Sequence, residues 1–160
     1  MMKHKGYYKS PIGMICIEEE AGSVIGLYFV KSVDEKEMPE NETIEEAKRQ
    51  LEEYFSGRRK EFTLPVRLEG TDFQVKVWHV LQTIPYGETR SYGDIAKQIG
   101  NPKAARAIGN ANNKNHIMLL VPCHRVIGAD GSLVGFEAGV DVKKYLLELE
   151  NPKFGKNDKT

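Results

Sequence analysis

Hydrophobic and polar positions divide the chain into two kinds of pattern. Near the start, "GMICIEEE" and "SVIGLYFVKS" are β-rich runs joined by "AGS", and predict a hairpin. "ETIEEAKRQLEEYFSG" then takes helical spacing, with Ile44, Ala47, Leu51, Tyr54 and Phe55 on one face. Thr43 and Glu46 predict its capping box and Gly57 its stop. "KEFTLPVRL" predicts one more strand, and the region around Gly70 a boundary. Beyond it the spacing turns helical. Phe73, Val77, Trp78, Leu81 and Ile84 mark a helix ended by Pro85 and Gly87. "SYGDIAKQIG" follows, capped by Ser91 with Asp94 and stopped by Gly100; Asn101-Pro102 is expected to cap a third helix, "KAARAIGNANN". Two short helices around a Gly-Asn-Pro turn fit a helix-turn-helix, though an ordinary helical hairpin has the same pattern. "HIMLLV" predicts a buried strand and "GADGSLVG" a turn or wing. "DVKKYLLELE" predicts a closing helix with Val142, Tyr145, Leu146 and Leu149 inward and Pro152 as its stop. The expected domains are 1–70, strand-rich and supporting, and 71–152, mostly helical, followed by a loose tail, 153–160.

At 160 residues, with 40% hydrophobic and 29% charged, the chain has the composition of a globular protein. No apolar run approaches the roughly 20 residues that span a bilayer. The opening "MMKHKGYYKSPIG" lacks the apolar core of a signal peptide. A cytosolic protein with reduced thiols, no membrane association and a monomeric state is therefore expected. Two cysteines and four scattered histidines offer no zinc spacing, and no cofactor is expected. Net charge is zero but uneven: residues 34–53 hold nine acids against three bases, and residues 86–125 hold six Lys or Arg against two acids. The basic half fits an anionic partner, and equally a solvated face.

The third helix is nearly bare. Ala104, Ala105, Ala107, Gly109 and Ala111 leave little to pack, and Gly109 costs about 1 kcal/mol relative to Ala. With Lys103 and Arg106 beside it, a bare helix fits a nucleic-acid groove; close packing against another helix fits as well. Cys123 follows the apolar run and is held by Pro122. A nucleophilic thiol needs activation, since a free cysteine has a pKa of about 8.5 and the thiolate attacks. His124 would reach it through a bridging water, with a buried acid orienting the ring. On these residues alone a structural buried cysteine is the plainer reading.

"PCHRV", preceded by "ANNKN", "RAIG", "SYGDIA" and "FQVKVWHVLQTIPYGETRSYG", resembles the methylated-DNA–protein-cysteine S-methyltransferases, or O6-alkylguanine-DNA alkyltransferases. The resemblance runs from about Phe73 to Glu150. It implies an α+β protein: a small ribonuclease-H-like N-terminal domain, then a winged helix-turn-helix domain. It also implies repair of duplex DNA containing O6-alkylguanine, in which the base is flipped out through the minor groove and its alkyl group moves irreversibly to a cysteine, once per molecule. By motif position Cys123 would accept the alkyl group, His124 would be its base through a water, and Glu150 would orient His124. Asn115 would be the hinge, Arg106 the finger filling the gap in the duplex, and Tyr92 would rotate the nucleotide and aid the leaving guanine. Asn101, Lys103, Ala104 and Ala105 would face DNA, and Val126, Phe136 and Glu137 would line the base pocket.

Three positions depart from the family pattern: Asn115-His116 stands for Asn-Pro, Ala138-Gly139-Val140 for Gly-Gly-Leu, and Glu137 for a small residue. They bear on substrate range rather than on the reaction. Rival readings are weaker. A lesion sensor without chemistry would lack the reactive cysteine. A winged-helix regulator would want base-reading side chains where this helix has alanine. A thiol hydrolase would not place its Cys and His side by side.

Overall fold

The computed structural model describes residues 3–33, 41–133 and 139–154. They form two compact units: the first runs to Glu69 and also takes His116–Leu120; the second holds Gly70–Asn115 and the chain from Val121 onward.

The first unit is an antiparallel meander of β1 (Lys3–Ser10), β2 (Gly13–Glu20) and β3 (Ser23–Val30), with helix α1 (Glu42–Phe55) packed on β1 and β2. The Ala21-Gly22 turn joining β2 to β3 has both residues at positive φ, +55° and +86°, which matches the twist of the strands it connects. The predicted hairpin is thus present. β1 is an addition: "KHKGYYKS" has no apolar alternation, and at the sheet edge it buries only Gly6 and Ser10. α1 buries its predicted stripe and also Gln50.

Three readings of this unit need correction. α1 is capped by Asn41, whose side chain accepts from Ile44 N–H at 3.0 Å, so Thr43 lies inside the helix. "KEFTLPVRL" is not a strand; it touches β3 through one parallel bridge, Val24 to Val66. Two of its positions give a ladder no donor: Thr63 N–H goes to Gln50 Oε1 at 3.0 Å and Pro65 has none. Of "HIMLLV", Ile117, Met118, Leu119, Leu120 and Val121 are buried as expected while His116 is exposed, and the run is not a strand either. It makes a parallel bridge from Ile117 to Leu27, then turns at Leu119, whose φ of +72° breaks an extended run.

In the second unit α2 (Asp72–Leu81), α3 (Tyr92–Ile99) and α4 (Ala105–Asn113) pack on one another. α2 starts with a Thr71–Gln74 capping box and stops three residues earlier than predicted, ahead of Pro85, which disfavours helix in the residue before it. α3 has the predicted Ser91–Asp94 box and ends at Gly100, φ +91°. α4 begins at Ala105 rather than Lys103 and has no side-chain cap; Asn101 contributes its backbone carbonyl to Ala104 N–H at 3.0 Å instead. A short 3-10 turn, Cys123–Arg125, leads into β5 (Val126–Ile127), which pairs in parallel with β4 (Arg90–Ser91). Of the wing, the turn Gly128–Ser132 is closed by Gly128 N–H to Ser132 carbonyl at 2.8 Å.

α5 (Val140–Glu150) turns a different face inward from the predicted one. Lys143, Leu146, Leu147 and Glu150 are buried, whereas Val142, Tyr145 and Leu149 are only partly covered. The spacing i, i+3, i+4, i+7 is that of a core stripe, but two of its members are charged.

Candidate active site

The 3-10 turn presents three consecutive buried side chains, Cys123, His124 and Arg125. Pro122 opens the turn, and its carbonyl accepts from Arg125 N–H at 3.0 Å. One turn of backbone thus fixes a thiol, an imidazole and a guanidinium against α5.

His124 is 1% exposed, and its Nε2 lies 2.7 Å from Glu150 Oε2. Arg125 grips the same carboxylate from the other side, Nε to Oε1 at 2.8 Å and Nη2 to Oε2 at 3.0 Å. Burial works against the charge of Glu150, yet the hydrogen bonds from His124 and Arg125 and the charge of Arg125 hold its carboxyl well below the usual carboxylate range. Burial pushes the His124 pKa down, with Glu150 opposing. An ionised carboxylate only accepts, so neutral His124 carries its proton on Nε2 and leaves Nδ1 bare.

Cys123 is in no disulfide and is buried, 5% exposed. Its carbonyl accepts from Asn112 Nδ2 at 3.4 Å. The buried Lys143 ammonium donates to the Val126 carbonyl. Burial lowers the Lys143 pKa to about 8, and the nearby charge of ionised Cys123 opposes that shift. Tyr92, half-buried at the start of α3, has its pKa raised by burial and then by Cys123, so its phenol keeps its proton at neutral pH. A Cβ built on Gly109 would meet the Tyr92 ring at 3.9 Å, so the ring lies over α4 at its barest point.

Cys123, His124, Glu150 and Tyr92 therefore share one region of the second unit. Asn115 donates from Nδ2 to the Val121 carbonyl at 2.9 Å and ties together the two ends of the segment between them. Val126 is buried beside the turn. α4 buries Ile108, Ala111 and Asn112 and leaves Ala105, Arg106, Ala107 and Asn110 outside. Asn101 and Lys103 are exposed with them. Ala104, expected to face DNA, stands apart from that face: it is the N-cap residue of α4 and is buried, 8% exposed. Phe136 and Glu137 lie outside the described residues, as does Ala138. Among the described residues no cluster of three His, Cys, Asp or Glu side chains is arranged to hold a metal ion.

Sequence reasoning missed Arg125, Lys143 and Asn112 as neighbours of the thiol. Arg125 adjoins His124 in the motif, and Lys143 stands seven residues before Glu150, two helical turns along the same face. Those spacings were the available signal.

Residues 72–152 match the 6-O-methylguanine DNA methyltransferase DNA binding domain, and residues 3–68 the ribonuclease-like domain of the same proteins. The chain belongs to this methyltransferase family. The methylated-DNA–protein-cysteine methyltransferase of Methanosarcina acetivorans is 50% identical over 148 residues, 89% of this chain and 95% of that one. The protein of the same name from Mycobacterium leprae is 48% identical, with 93% of each chain covered. The crystal structure of Mycobacterium tuberculosis O6-methylguanine methyltransferase superposes with a TM-score of 0.86 at 46% identity, covering 94% of each chain. The Mycobacterium tuberculosis protein has also been solved in complex with DNA, with the same TM-score and coverage. The family's α+β architecture, a small sheet domain before a helical one, is the architecture of this chain.

Proposed function

We propose that this methyltransferase-family protein repairs O6-alkylguanine in duplex DNA by moving the alkyl group to Cys123, once per molecule. The observation that carries the reading is the buried Cys123 beside a neutral His124 whose far nitrogen is bonded to Glu150.

Nδ1 of His124 takes the thiol proton through a bridging water, with Glu150 stabilising the imidazolium that forms. The Lys143 ammonium stabilises the thiolate. Sulfur attacks the alkyl carbon, the S–C bond forms as the O6–C bond breaks, and the electron pair goes to the guanine. Tyr92, still protonated, donates to the departing base. The thioether product has no leaving group that water can displace, so the thiol is not regenerated.

α4 enters the minor groove with Ala105 and Ala107 against the duplex, while Arg106 occupies the space of the extruded base. Extrusion costs a few kcal/mol and less for a poorly paired base, so the lesion favours its own selection. Asn101 and Lys103 approach the phosphates, and Asn115 acts as the hinge between α4 and the cysteine turn. Phe136 and Glu137 complete the pocket with Val126. The 1–70, 71–152 and 153–160 division gives a supporting domain, a reactive domain and a tail. No helix among the described residues is long and apolar enough to cross a membrane. We place the protein in the cytoplasm as a monomer, where its thiol stays reduced.

The test is to mix the protein with duplex DNA carrying O6-methylguanine and weigh the intact protein. A gain of one methyl group, mapped to Cys123, is expected. Unchanged mass with tight binding would replace the transferase by a lesion sensor.

A further inference from the structure

We infer that Arg125 is a positioning residue for this transfer: by clamping both oxygens of Glu150 it dictates which nitrogen of His124 faces the thiol. The inference rests on the reading above and adds a residue to it.

All of the Arg125 guanidinium is engaged. Nε and Nη2 form the fork on Glu150, Nη1 donates to the Ile84 carbonyl at 2.7 Å, and the group sits 5.8 Å over the centre of the Tyr86 ring. Planar bidentate geometry of this kind is beyond a lysine, which offers one point charge. Glu150 receives further donors from His124 Nε2 and, at 3.4 Å, from Gly87 N–H. The carboxylate is thus surrounded by donors and has no low-energy way to become one.

The charged groups that face His124 are Glu150 and Lys143 on α5 and Arg125 on its own turn. The segment after α2 meets Glu150 through Gly87 N–H, and Arg125 through the Ile84 carbonyl and the Tyr86 ring. With Arg125 present, Glu150 is already neutralised, and a second positive charge on His124 is unfavourable in a buried site. Without Arg125, Glu150 would be a buried anion whose nearest remaining donor is His124, and it would draw a proton onto the ring. An imidazolium cannot take the thiol proton. Arg125 therefore acts twice: it fixes the Nε2–H tautomer and keeps the ring unprotonated until the thiol gives up its proton.

The experiment uses the full chain as wild type, Arg125→Met and Arg125→Lys. Nitrogen-15 NMR of His124 in the wild type reads the tautomer directly. A proton on Nε2 and a bare Nδ1 are expected, and a proton on Nδ1 overturns the inference whether or not either variant folds. Transfer from methylated duplex is then followed in single turnover between about pH 5 and 9, the range in which histidine chemistry is exposed. In Arg125→Met the acidic limb should move up by about one unit or more, with the rate near neutrality about 10- to 100-fold lower. Arg125→Lys, which keeps the charge but loses the fork, should fall between. A variant profile that keeps the wild-type shape and is only scaled down assigns Arg125 a structural role and overturns the inference. Failure of the wild type itself to gain a methyl group would instead refute the transferase reading, and the NMR result would stand apart from it.

Discussion

Replacing Lys143 with methionine should leave stability at pH 7 nearly unchanged and remove part of its rise toward pH 10. Lys143 is fully buried, and its pKa falls from 10.5 to about 8. A shift of this size means that the charged form is disfavoured in the fold by about 3 kcal/mol at neutral pH, at about 1.4 kcal/mol per unit. The sign follows from proton counting. Between about pH 8 and 10.5 the unfolded chain holds more of this proton than the folded one, so wild-type stability gains as pH rises. From pH 7 to 10 the gain from this group is about 2–3 kcal/mol, and the methionine variant lacks it. Methionine also removes the donor to the Val126 carbonyl, a loss of about 1–3 kcal/mol that does not depend on pH. The two effects nearly cancel near neutrality, so the variant should be about as stable as wild type at pH 7 and clearly less stable at pH 10. Urea unfolding of both proteins at the two pH values measures this, because other groups that titrate are common to both. Parallel stability curves would refute a depressed Lys143 pKa. The variant should also transfer methyl more slowly at pH 7, because the thiolate loses its nearby cation.

Cys123→Ser should abolish transfer while leaving DNA affinity intact, since a hydroxyl is a far weaker nucleophile; methyl gain by the purified variant would exclude Cys123 as the acceptor. Arg106→Ala should slow repair of duplex by about 10-fold or more yet leave attack on free O6-benzylguanine unchanged, because only the duplex has a gap to fill; equal losses on both substrates would make Arg106 structural. On acidification, melting temperature should fall in two stages. His124, with its folded pKa depressed, loses its contribution as pH drops below about 6.5, and Glu150, also depressed, loses its own below about 4–5. A melting temperature that is flat from pH 7 down to 4 would contradict the buried neutral-histidine, ionised-glutamate pair.

What could be read along the chain was whatever depends on near neighbours. The Ser91–Asp94 cap and the Gly100 stop are local devices: a side chain meets a backbone group three residues away, and a glycine accepts a positive φ. The Ala21-Gly22 hairpin is local for the same reason. The motif around Cys123 was legible only through the family resemblance of its consecutive residues, which pointed to the thiol and the imidazole but not to the guanidinium of Arg125. Tertiary structure decided the rest. β1 has no apolar rhythm and is a strand only because β2 supplies the other half of its hydrogen bonds. The "KEFTLPVRL" and "HIMLLV" runs have strand-like composition, but Gln50 takes a backbone donor of the first and a left-handed Leu119 bends the second. The inward face of α5 does not follow its apolar residues. Lys143 and Glu150 are buried only because the Val126 carbonyl, His124 and Arg125, distant in sequence, satisfy their charges. A hydrophobic side chain carries its preference for the interior with it, whereas a charged one becomes a core residue only when the fold brings it a partner.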